Sequence, residues 1–196
     1  MNIYRKPINI EPEVKNHLPL ATLLLAIVPF NTEGSAQEST HVTVSPVIGL
    51  PGDTVSLPIY LEIAPGMEVG SIALDIIFPH DPLSFLNARE SFPTTAVGGQ
   101  LTVGIESRDE GKDQSVIRLV IETAPGESRI SLPDGQLGFV IFQISTEAHM
   151  GTKISLEVSA QVMDTGDPAR QVKDVVAHDG EISVGALLFA CFFYMH

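Results

Sequence analysis

The chain has 196 residues, room for one domain of ordinary size plus tails. Eleven Lys and Arg stand against 24 Asp and Glu, a formal net charge of −13. That balance argues against nucleic acid, whose phosphates need Lys and Arg, and against docking on anionic lipid. Cys191 is the single cysteine, so no intrachain disulfide and no cysteine-based zinc cluster can form.

Residues 1–36 read as a signal peptide. Arg5, Lys6 and Lys15 make a basic start, and residues 18–30 are an apolar run. A run of that length falls short of the roughly 20 residues that span a bilayer. Gly34, Ser35 and Ala36 form a small-x-small cleavage site. An exported protein is expected, secreted or held at the cell surface or in the periplasm. The three acids and three bases of residues 1–36 cancel, so the remaining chain carries all of the negative charge.

From His41 onwards the signals are those of short strands. Residues 41–45 alternate, and Pro51, Gly52 and Asp53 make a turn. In 54–63 Val55, Leu57, Ile59 and Leu61 share a face, and Pro58 suggests an edge or a bulge. Residues 70–78 follow, with Ile72, Leu74, Ile76 and Phe78 on one side and Ala73, Asp75 and Ile77 on the other. Pro79 and Pro82 stop that strand, and 83–86 drops back onto apolar surface. Residues 89–104 have weak periodicity, with Leu101, Val103 and Ile105 as one more strand. Residues 107–114 read as an exposed hairpin tip and 116–122 as a strand. A turn at 124–126, strands at 136–145 and 154–163, and a loop at 164–174 come next. Short strands at 175–176 and 181–184 close the series. Strands at this spacing with Gly/Pro turns, and no convincing helix, predict an all-β fold of about nine strands, a β-sandwich. Residues 185–196 are mostly apolar and too few to span a membrane. A stub of an anchor, a sorting tail and a packed strand all fit them.

Four stretches, in order, resemble the cohesin domain, the module that binds dockerin modules in cellulosomes. They are PGDTVSLP at 51–58, VGSIALDIIFPHDPLSFL at 69–86, DGQLGFVIF at 134–142 and GEISV at 180–184. Together they cover residues 42–184. The resemblance implies a nine-stranded jelly roll of two sheets. It also implies that a dockerin-like module of another chain docks on the outer face of the sheet holding 70–78. Asp75 matches an acid that contacts dockerin in the cellulosomal class. Ala73 stands where the family has a polar contact, a departure.

Alternation carried along the other strands puts Phe139, Ile141 and Gln143 outside, with Arg118, Val120 and Glu122, and with Ser155, Glu157, Ser159 and Gln161. Ala73, Asp75, Ile77, Val120, Phe139, Ile141 and Glu157 are therefore expected to form one partner-binding surface, apolar around acids. Enzyme signals are absent: no G-x-S-x-G, no H-E-x-x-H and no glycine-rich phosphate loop occurs. His41, His80, His149 and His178 sit at turns or strand starts without a paired nucleophile. Asp164, Asp167 and Asp174 match no EF-hand loop, so neither metal nor cofactor is expected. The alternative function is a carbohydrate-binding module of an exported protein, acting on polysaccharide. With no Trp and only Tyr4, Tyr60 and Tyr194, a cellulose platform is disfavoured.

Overall fold

A computed structural model describes residues 39–109, 113–123 and 130–185. The expected signal peptide, the turn at 124–126 and residues 186–196 of the tail lie outside them. The described residues belong to one compact unit, Ala36–His196. Along the chain run β1 (Thr40–Val44), β2 (Val47–Gly49), β3 (Thr54–Glu62), β4 (Val69–Pro79), β5 (Leu83–Glu90) and α1 (Phe92–Ala96). After them come β6 (Gly99–Asp109), β7 (Gln114–Thr123), β8 (Gly135–Ile144), β9 (Lys153–Asp164), β10 (Val175–His178) and β11 (Gly180–Val184).

Two sheets form a β-sandwich of jelly-roll type. One has the order β10-β1-β3-β8-β5, the other β2-β11-β9-β4-β7-β6. Eleven strands stand among the described residues rather than about nine. Part of the difference is β2, three residues paired parallel with β11. The chain's closing segment, expected as two short strands, changes sheets. There β10 pairs parallel with β1, and β11 pairs antiparallel with β9. The crossing is at Asp179, whose carboxylate accepts a 2.8 Å hydrogen bond from the Val158 N–H and so ties the switch to β9.

The core lies between the sheets and follows the period-two pattern. Leu57, Ile59 and Leu61 of β3 face Ile72, Leu74 and Ile76 of β4 across it, all buried. Fully buried Phe142 of β8 joins the layers, meeting Phe78 of β4 edge-on at 5.0 Å between centroids and Phe85 of β5 at 5.9 Å. β4 is an interior strand, held between β9 and β7. Its first pairs with β9 slip at Gly70. A Cβ there would sit 2.7 Å from the Asp164 carbonyl oxygen, so only glycine lets the two backbones approach so closely. Pro58 belongs to β3, an interior strand between β1 and β8, and the register shifts one step beyond it, between Ile59 and Tyr60.

The helical turn α1 has no counterpart in the sequence-based expectation. Ser91 caps it, accepting from the Thr94 N–H and donating to the Gln136 carbonyl. The Thr94 hydroxyl donates to the Leu137 carbonyl at 2.7 Å. Two side-chain hydroxyls thus pin the turn to β8.

Candidate functional site

On the outer face of the six-stranded sheet, strands β9, β4, β7 and β6 lie side by side in fixed register. Three rows of residues cross it. One is Gln161–Ala73–Val120–Thr102. The next is Ser159–Asp75–Arg118–Gly104. The third runs Glu157–Ile77–Val116. Directly opposed residues on one face bring their Cβ atoms to about 5 Å, so each row is a line of contact. Ala73, Ile77, Val116 and Val120 are partly buried, while Ser159, Gln161, Glu157 and Thr102 stand exposed. The face therefore has an apolar centre and a hydroxyl, amide and carboxylate rim.

The middle row carries an ion pair. Arg118 donates from Nε to Asp75 Oδ1 at 2.6 Å and from Nη2 to Oδ2 at 2.7 Å. The fork-on-fork geometry fixes the two side chains against each other across β4 and β7. Their side chains keep 26% (Asp75) and 41% (Arg118) of their accessible surface. A pair this open contributes about 1 kcal/mol or less to stability. Its larger effect is on the surface, where it places a compensated charge between two apolar rows. Gly104 ends the row without a side chain. Beside Ile77 the sheet end opens into a hollow of about 310 Å³, lined also by Pro79, Pro82, Gln114, Lys153 and Glu157. Farther along that edge Lys153 donates to Glu181 at 3.0 Å and Ser183 adds 2.9 Å. These bonds, Lys153 first, hold the Glu181 carboxyl below its ordinary range.

Five of the seven expected site residues share this face: Ala73, Asp75, Ile77, Val120 and Glu157. Phe139 and Ile141 do not. They point outward as expected, but β8 belongs to the other sheet, so they lie on the opposite outer face of the molecule. Phe139 stands between Pro58 and Arg89, whose guanidinium lies 5.0 Å over its ring. Alternation separates inward from outward side chains and says nothing of which sheet a strand joins. Asp75 is a second correction. Expected only as an acid of the contact surface, it is one half of a bidentate pair with Arg118. Arg118, as its partner, and Val116 were missed as site residues. Running the alternation of β7 back one step from Arg118 would have found Val116. Arg118 stood in the outward set, but nothing local shows that it faces Asp75. Among the described residues no group of three or more His, Cys, Asp or Glu side chains is arranged to hold a metal.

No family model matches the sequence, and no curated protein matches it. Solved structures do. The third cohesin of ScaC from Acetivibrio cellulolyticus, in complex with the ScaB dockerin, aligns at a TM-score of 0.59 and 19% identity. The match covers 75% of this chain and 99% of that one. The chain has the cohesin fold. A non-cellulosomal cohesin from the hyperthermophilic archaeon Archaeoglobus fulgidus aligns at 0.58 and 19% identity, covering 76% and 93%. CaCohA2 of Clostridium acetobutylicum aligns at 0.55 and 22% identity, covering 76% and 92%. At such identities the shared property is the cohesin sandwich itself, which this sequence builds with largely different side chains.

Proposed function

We propose that the chain is a non-catalytic module that binds a dockerin-like partner on the outer face of β9, β4, β7 and β6. The observation that carries this reading is the composition of that face. Ala73, Ile77, Val116 and Val120 make a flat apolar centre, crossed by the Asp75–Arg118 pair and rimmed by Glu157, Ser159, Gln161 and Thr102. An apolar core within a polar rim is how protein interfaces are built. Because the two charges already compensate each other, docking would bury no unpaired ion. The cohesins of this fold that were captured with dockerins add support from analogy. We also place the module outside the cell, on the signal-peptide character of residues 1–36.

A binding titration of the full chain against a panel of dockerin modules tests the reading. Ile77→Lys sets an unpaired charge among the apolar residues of the face and should weaken binding at least tenfold, about 1.4 kcal/mol or more. Phe139→Ala lies on the opposite face and should leave binding unchanged. The reverse pattern would move docking to the five-stranded sheet. Retention on insoluble cellulose or chitin, with no dockerin bound, would replace the reading by a carbohydrate-binding one.

A further inference from the structure

We infer that His41 and His178 form a two-imidazole chelating site for a divalent transition-metal ion of the copper or nickel type. The site is on the outer face of the five-stranded sheet, away from the proposed docking face, and is independent of it. β1 and β10 run parallel there, with His41 opposite Val176 and Thr43 opposite His178. The two histidines are therefore diagonal neighbours on one face, although 137 positions apart in sequence.

The rings meet through their edges. His41 Nδ1 and His178 Nε2 are 2.9 Å apart, with the ring planes inclined by only 13°. Their centroids are 5.2 Å apart, as far as that nitrogen contact allows, so the rings are nearly coplanar and joined edge to edge rather than stacked. Two nitrogens bound to one ion at about 2.0–2.1 Å and at right angles are themselves about 2.9 Å apart. The present ring contact thus has the spacing of two adjacent corners of a tetragonal site, the geometry that Cu(II) and Ni(II) favour with nitrogen donors.

Binding asks for small changes. Both rings turn so that the two lone pairs converge on the ion. The ring that donates the present N–H moves that proton to its other nitrogen, which leaves both imidazoles neutral and both chosen nitrogens free to bond. His178 is exposed and His41 partly so, and that leaves room for the movement. Glu62 of β3 stands directly opposite His41, bringing a negative charge to the same face. On the β3 side of His41 the surface opens into a hollow of about 290 Å³ lined by Ser39, His41, Glu62 and Ile63. A bound ion would cross-link β10, an edge strand, to β1.

The test is a calorimetric titration of the full chain with NiCl2, with thermal melts in the presence and absence of the ion. One saturable site and a raised midpoint are expected, because a ligand that binds only the folded chain stabilises it by mass action. His41→Asn and His178→Asn should each weaken binding by about 100-fold, the loss of one of two linked donors. His149→Asn should leave it unchanged. Melts without metal show that each variant is folded. Independently, substoichiometric CuCl2 should broaden the imidazole signals of His41 and His178 before those of other histidines. Equal nickel binding by the native chain and His178→Asn, or copper broadening that begins at another histidine, would overturn the site.

Discussion

Asp75 and Arg118 show what one residue's meaning depends on. The alternation of β4 puts Asp75 outside, and there the sequence reads it as one acid of a largely apolar contact surface. The antiparallel register of β4 and β7 sets Arg118 directly opposite, and the carboxylate becomes half of a forked pair. In-or-out orientation is a local, period-two property and was legible for Phe139 and Phe142 alike. Phe142 is fully buried against Phe78 and Phe85, whereas Phe139 is partly buried under Arg89. Phe142→Ala should therefore cost about 3–5 kcal/mol in a denaturant titration, as large cavities do. Phe139→Ala should cost about 1 kcal/mol, the size of its contact with Arg89. Equal losses would mean that β8 is shifted by one residue.

Elements differ in how plainly the sequence announces them. The long strands β3, β4, β8 and β9 repeat the apolar period often enough to be read directly. The turn α1 spans five residues, too few for a helical period. Its signals were a Ser at 91 followed two places on by Pro93, a helix start in miniature. Ser91→Ala removes the cap and the bond to the Gln136 carbonyl together, and should lower stability by about 1–2 kcal/mol. A loss much below that, measured by denaturant unfolding, would show that Thr94 alone holds the turn to β8. β2 was invisible for a simpler reason: its three residues carry no period at all.

At the scale of the whole molecule, every buried apolar side chain among the described residues lies between Val42 and Val184. A fragment of residues 37–184 should accordingly fold by itself, with a circular dichroism spectrum of strand and almost no helix. A helical or unfolded spectrum would show that the core needs a flanking segment. The sequence alone determined the class of fold, the approximate place of most strands and which side of each strand is apolar. Those follow from side-chain period and turn chemistry, which act over a few residues. Only the tertiary structure decided which strands share a sheet, and so separated Phe139 and Ile141 from Ala73, Asp75, Ile77, Val120 and Glu157. It also brought Arg118 to Asp75 and His178 to His41. Such pairings are set by packing two layers around one core, a condition on the whole chain that no short stretch of it expresses.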